Sequence, residues 1–285
     1  MTSLISVGQV LDHSLEHCRR HFKELLAITL WVVVAAIPSV VGKLLAPNGG
    51  NETLTGGDWL SFAMSLIGII VVMIVSIWMY ATLVYAVADQ AAGRDYNLKQ
   101  LQRRGWQAFT AYLILTLTLA AIVFGIALIT VPGYVLLFLS ANNNTPAFIG
   151  AIGTPTFLIG LVITLFLLAK YSVQLAFAPY VLLLERKNIS EAIKGSSALV
   201  TGRWWSTFWR FAMPKLIYFI VLFVLSFITF TAFELLLALI MNHSGFGTLL
   251  IYTLSLFVSV FLSAIITPLI VTTDYYLYDS LRKTR

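Results

Sequence analysis

The chain has 285 residues, 59% of them hydrophobic and only 11% charged, with a formal charge of +6. A soluble domain is about one-quarter charged, so this composition excludes an ordinary soluble fold. The basic residues flank apolar stretches, which makes anionic lipid headgroups, and not nucleic acid, the fitting partner.

The N-terminal segment carries Asp12, Glu16, Arg19, Arg20 and Lys23 ahead of the first apolar run, too much polarity for the core of a cleaved signal. Within it Leu11, Leu15, Cys18, Phe22 and Leu25 recur at three- and four-residue steps, which predicts a short amphipathic helix with these five on its apolar face. Cys18 is the single cysteine, so no intramolecular disulfide forms. Six long apolar stretches then occupy about residues 25–45, 60–88, 108–131, 157–184, 211–240 and 249–271. A hydrocarbon core about 30 Å thick needs about 20 apolar helical residues, so each stretch is expected to cross a membrane.

The segments between them alternate in charge. Arg19, Arg20 and Lys23 precede the first span, and the next segment, near residues 48–58, is rich in Gly and Asn. Arg94, Lys99, Arg103 and Arg104 follow, then an uncharged segment at 141–155 containing an Asn142–Asn144 bend. The fifth segment holds Arg186, Lys187, Lys194, Arg203 and Arg210, with Lys215 just inside the following span. The sixth, 241–247, has no Lys or Arg, and the tail has Arg282, Lys283 and Arg285. The positive-inside rule then places both termini in the cytoplasm. Trp106, Trp204, Trp205, Trp209, Tyr275, Tyr276 and Tyr278 fall at expected inner ends and Trp59 at an outer end, where amphipathic rings favour the headgroup level. Trp31 and Trp78 read as packing residues.

Two further basic segments also predict amphipathic helices, through Leu98, Leu101, Gly105, Phe109 and Tyr112 and through Ile189, Ile193, Ser196 and Val200. Their starts, near Ile5, Asn97 and Ile189, are about 92 residues apart, which predicts a threefold repeat of one interfacial helix plus two spans. The expected architecture is an all-α integral membrane protein with one domain over residues 1–285. Its repeat units run over about 5–96, 97–188 and 189–285, with six transmembrane helices and three interfacial amphipathic helices.

Residues 177–210, FAPYVLLLERKNISEAIKGSSALVTGRWWSTFWR, form a Pro-containing span end, a charged turn, an amphipathic helix and a Trp/Phe/Arg cluster. Together with TPLIVTTDYYLYDSLR at 267–282 and VPGYVLLFLS at 131–140, this resembles the membrane region of glycerophosphoryl diester phosphodiesterases and of related stand-alone six-span bacterial proteins. In those phosphodiesterases an attached soluble domain carries the chemistry, and no such stretch occurs in these 285 residues. The resemblance therefore implies a membrane fold of the bacterial inner membrane without the phosphodiesterase activity.

Candidate chemistry is sparse. His13, His17 and His21 lie at four-residue steps on one helix, a spacing that pairs of histidines use to hold a transition metal. Three such residues drift around the helix, so a plain solvated face or a pH-sensitive surface competes with the metal reading. Lys170 falls near the middle of the expected fourth span, followed by Tyr171, Ser172 and Gln174; Glu234 and Asp274 are the other intramembrane charges. Such charges are costly in lipid unless paired, hydrated or able to snorkel, so they mark either a ligand path or structural ion pairs, with Lys170–Glu234 one such pair. Pro38, Pro179 and Pro268 are expected to kink spans. Arg19, Arg20, Arg103, Arg104, Arg203 and Arg210, with Trp106, Trp204 and Trp205, are the expected headgroup contacts. Phosphate-loop, nucleophile-elbow and His-Glu-x-x-His patterns do not occur, and three Asn-x-Ser/Thr sequences at Asn51, Asn143 and Asn242 read as chance.

The expectation is a non-catalytic multi-pass protein of the bacterial cytoplasmic membrane, needing no cofactor. It would act through membrane lipids or another membrane protein at the cytoplasmic face. The alternative is a transporter or export/immunity factor for a small amphipathic ligand, built around Lys170.

Overall fold

The computed structural model describes residues 4–45, 56–94, 96–141, 146–240 and 245–284. The Asn142–Asn144 bend and the sequences at Asn51, Asn143 and Asn242 lie outside them. Among the described residues the secondary structure is helical, without a strand. Six stretches are long and apolar enough to cross a membrane: Phe22–Gly42, Trp59–Ala91, Leu98–Ser140, Phe148–Glu185, Trp204–Leu235 and Thr253–Lys283. This is a multi-pass membrane protein, because lipid offers the backbone no hydrogen bonds and helices satisfy their own.

A first helix, α1 (Val7–Arg20), starts at a capping box: Gln9 N–H donates to Ser6 Oγ at 3.2 Å, and Ser6 N–H to Gln9 Oε1 at 3.0 Å. The first span is a broken rod of α2 (Phe22–Thr29), α3 (Trp31–Ala35) and α4 (Ile37–Leu45). Its second break, at Ala36, stands two residues before Pro38, which has no N–H to give. Long helices α5 (Gly56–Ala91) and α6 (Leu98–Ala127) follow; a 3-10 turn at Leu128–Thr130 then leads into α7 (Val131–Ser140), with Pro132 in its first turn. Helix α8 (Ala147–Leu175) breaks at Ala176 and Phe177, just before Pro179 in the first turn of α9 (Ala178–Glu185). The chain closes with α10 (Ile189–Val200), α11 (Trp204–Ile240) and α12 (Gly245–Lys283).

The uncharged segment at 141–155 is helix from Ala147 onward with Pro155 inside it, since a proline in a helix removes only one backbone bond. Pro268 sits inside a continuous α12, as Pro214 does in α11.

The chain forms two compact units, Met1–Thr110 with Trp209–Arg285, and Ala111–Phe208. In the first, α4 and α5 run close together where small residues meet. A Cβ on Gly68 would lie 2.6 Å from Ser39 N, one on Gly42 2.9 Å from Ser65 N, and Ser61 Oγ donates to Gly42 O at 2.7 Å. In this unit α1 packs on the C-terminal half of α12, and the start of α6 packs on α5: Gly105 faces Thr82, and Trp78 Nε1–H donates to Gln102 O at 3.1 Å. Leu25, Ile28, Leu83, Leu101 and Tyr278 fill the core. Tyr278 was expected at the headgroup level; packing encloses its ring instead, leaving it 1% exposed.

In the second unit α7 and α8 form a hairpin through Gly133, Gly153 and Gly160. A Cβ on Gly133 would sit 2.9 Å from Phe157 Cβ and closer still to its backbone, and one on Gly153 3.0 Å from Leu136 Cβ. Helix α10 lies across α8 and α9, with Gly195 facing Val181 and Phe177 and Tyr180 buried beneath. Elsewhere large apolar side chains point outward, such as the stacked Phe219, Phe223 and Phe227. Exposed apolar surface of this extent belongs against lipid.

Gly133→Leu is expected to force α7 and α8 apart and to lower the thermal midpoint in detergent, by an overpacking cost of about 1–3 kcal/mol. Gly125→Leu, where an added Cβ meets nothing within 4 Å, is the control. Equal midpoints for the two variants would overturn the close-approach argument.

Candidate functional site

The face that α1 buries differs from the one expected. Val10, Ser14, His17 and Cys18 are buried, while Leu15 and Phe22 are 49% and 46% exposed. Only Cys18 and Leu25 of the expected stripe are fully enclosed. In lipid, apolar residues gain little from facing protein, so polar groups turn inward to find partners and Leu15 is left exposed.

Those partners form two hydrogen-bonded chains. Ser14 Oγ lies 3.0 Å from Tyr218 Oη, which lies 3.2 Å from Thr273 Oγ1. His17 is held on both ring nitrogens, Nε2 at 2.9 Å from Gln90 Oε1 and Nδ1 at 3.1 Å from Tyr276 Oη. The amide oxygen of Gln90 accepts only, which puts the proton on Nε2 and leaves Nδ1 to accept from the tyrosine. Gln90 Nε2 donates to Tyr96 Oη at 2.8 Å, and Tyr96 donates to Glu24 Oε2 at 2.7 Å. Glu24 also takes His21 Nδ1 at 3.1 Å. These bonds tie α1 and α2 to the ends of α5 and α12. Burial, reinforced by the neighbouring His21 and Arg20 charges, lowers the pKa of His17 against the raising effect of Gln90. Burial likewise pushes the Cys18 thiol up; its Sγ lies 3.4 Å from Thr272 Oγ1. Tyr96 is raised, first by burial and then by its bond to Glu24.

The histidine triad is therefore divided. His17 has no lone pair free for a metal in this tautomer, His21 faces Glu24, and His13 is exposed with its ring 5.7 Å from that of Tyr276.

Among the described residues, most carboxylates are also matched within the fold. Asp89 takes Arg104 at 2.9 Å and Arg94 at 3.5 Å, and Glu16 takes Arg20. Asp274 is buried 2.9 Å from Lys215 Nζ, which lies 3.1 Å from the centre of the Phe211 ring. Asp274 thus has a structural partner, and it is Lys215, which the sequence places just inside the fifth span. Arg203 Nε donates to Leu199 O at 3.2 Å and Arg210 Nε to Ile5 O at 2.6 Å, so both point at backbone carbonyls where headgroup contacts were expected. Arg104 and Arg20 are likewise engaged by carboxylates. Arg19 and Arg103 are exposed with no carboxylate partner among the described residues.

In the second unit, Lys170 stands beside the turn at Thr201 and Gly202, where Gly202 has φ +84. Trp204 Nε1–H donates to the Lys170 carbonyl at 3.3 Å, and Trp205 packs edge-on to Trp204 with ring centres 4.7 Å apart. Ser196 Oγ donates to Gln174 O at 2.6 Å and accepts from Phe177 N–H at 3.2 Å, joining α10 to the break between α8 and α9. A crevice of about 330 Å³ opens between Phe166, Lys170, Gln174, Gly202, Trp204 and Trp205. Glu234 belongs to the other unit and is exposed on α11. Trp106 is 52% exposed and stacks on Trp78 at 5.5 Å. Gln90, Tyr96 and Tyr218 were not singled out from sequence; polar residues at the end of an apolar run were the available signal. No protein-family description, curated protein or solved structure matches the chain.

Asp274→Asn leaves Lys215 without its counter-charge and is expected to destabilise the fold by about 3–5 kcal/mol, with Lys215→Met/Asp274→Leu recovering most of the loss. Equal stability of Asp274→Asn and the parent in a detergent thermal melt would contradict this. A second expectation concerns pH. The folded state favours neutral His17, while the unfolded imidazole protonates near 6.5. Its contribution is complete above that value and declines as pH falls below it. Hydrogen exchange of Val7–Arg20, corrected for intrinsic rate, should accelerate from pH 8 to pH 5 in the parent and much less in His17→Asn. Equal acceleration in both would remove His17 from that role.

Proposed function

We propose that this chain is a non-catalytic multi-pass protein of the bacterial cytoplasmic membrane, acting through lipid or protein partners at its cytoplasmic face. The observation that carries this reading is an imbalance of charge. Asp89, Asp274, Glu16, Glu24 and Asp279 have partners inside their own unit. Exposed Arg19, Lys23, Lys99, Arg103 and Lys194 have no carboxylate partner among the described residues. These cations lie on or beside α1, α6 and α10. In the first unit the N-terminal segment, the end of α5, the starts of α6 and α11 and the end of α12 gather at one end, through Arg210–Ile5, Ser280–Ile5 and His17–Gln90 contacts. That gathering and the positive-inside rule together support an inner, cationic end. Each cation near an anionic bilayer surface contributes about 1 kcal/mol.

The burial pattern supports a threefold repeat beneath this face. Val10, Leu101 and Ala192 are 0%, 1% and 0% exposed and stand 91 residues apart. Ser14, Gly105 and Ser196, buried against the span each helix packs on, share that interval. Gly42 and Gly133, in the α4–α5 and α7–α8 hairpins, also share it. The transport reading has less support, since Lys170 and Glu234 are both exposed and belong to different units.

In reconstituted bilayers, brominated phosphatidylglycerol is expected to quench tryptophan fluorescence more than brominated phosphatidylcholine, with the difference shrinking as salt rises. Equal quenching by the two lipids at low salt would sink the lipid reading.

A further inference from the structure

We propose that the crevice beside Lys170 is a binding site for the phosphate of an acidic phospholipid. The proposal rests on the cationic-face reading and gives that face one defined site. Lys170 follows Phe148, the start of its span, by a rise of about 33 Å at 1.5 Å per residue. That is about one hydrocarbon thickness, so with Phe148 at the outer boundary the Lys170 backbone stands at the inner one.

The chemistry of the walls fits this level. Lys170 Nζ, the Gln174 side-chain amide and the Trp205 indole N–H have no hydrogen-bond partner among the described residues, and no carboxylate lines the space. The crevice therefore offers donors and a positive charge, which select an anion. Trp204 is fixed by its bond to the Lys170 carbonyl and by stacking on Phe208 at 5.1 Å. Phe166, 64% exposed, lies one helical turn from Lys170 on the apolar side, where an acyl chain descends from a headgroup. A cation and indole edge on one side with an aromatic ring on the other match a lipid and not a free polar solute. The left-handed turn at Gly202 holds this wall open: a Cβ there would meet no atom within 4 Å, so the space in front of it is free.

The test is native mass spectrometry of the detergent-purified full chain, titrated with dioleoylphosphatidylglycerol or dioleoylphosphatidylcholine. The parent should retain the acidic lipid in preference. Lys170→Gln should weaken its tightest-bound copy about five-fold, the factor for one near-surface charge, and Lys170→Arg should restore most of it. Arg103→Gln, which removes the same charge elsewhere, should lower weaker binding and leave the tightest copy. Should Lys170→Gln misfold, Trp205→Leu against the Lys170→Arg variant carries the same comparison. Unchanged retention in Lys170→Gln overturns this site while leaving the cationic-face reading standing. No preference for the acidic lipid in the parent overturns both. Displacement of the lipid by millimolar inorganic phosphate assigns the crevice to a free anion and overturns the lipid assignment.

Discussion

The first unit depends on the way a short helix is held against the end of a long one by polar groups. Helices in lipid gain little from burying leucine against leucine, because acyl chains are as apolar as the protein. Small residues that permit close approach, and hydrogen bonds that the surroundings cannot replace, therefore decide which faces meet. Ser14 bonding to Tyr218, and His17 held between Gln90 and Tyr276, fix the rotation of α1. Once that rotation is set, Leu15 and Phe22 are left about half exposed and Arg19 lies at the surface.

The same principle explains what was legible in the sequence. The six spans are visible because crossing hydrocarbon imposes a run length that no other requirement imitates. The orientation of α1 was not, because the apolar stripe Leu11, Leu15, Cys18, Phe22 and Leu25 is a water-based criterion applied beside lipid. Val10, Ser14 and His17, the face that is buried, reads as mixed polarity and carries no periodic apolar signal. Likewise Asp274 and Lys215 were each visible as charges within spans, while their pairing was not. Contact between α11 and α12 brings them together, and no sequence spacing encodes it.

Glycines carry a related lesson. Gly42, Gly68, Gly133, Gly153 and Gly160 sit where two helix backbones approach closely, whereas Gly125 faces open space. Composition alone treats all of them as packing residues. Gly133 stands beside Pro132 in the sequence and admits the backbone of Phe157. The proline next to it sets the 3-10 break, so the two residues act on different partners: one on its own helix, the other on the neighbouring one.

Charge follows from the same economy of polar groups. A carboxylate near hydrocarbon needs a partner more than an arginine or lysine does, because the longer cations reach an interface by extending along apolar surface. Internal pairing accordingly engages most carboxylates of the first unit, and Arg203 and Arg210, with planar multi-donor heads, turn back onto carbonyls. The cations left exposed are those with no such opportunity. Lys170 is the informative case. Its backbone carbonyl is held by Trp204 while its ammonium group meets no carboxylate among the described residues, so the fold fixes the position of the residue without neutralising its charge within its own unit.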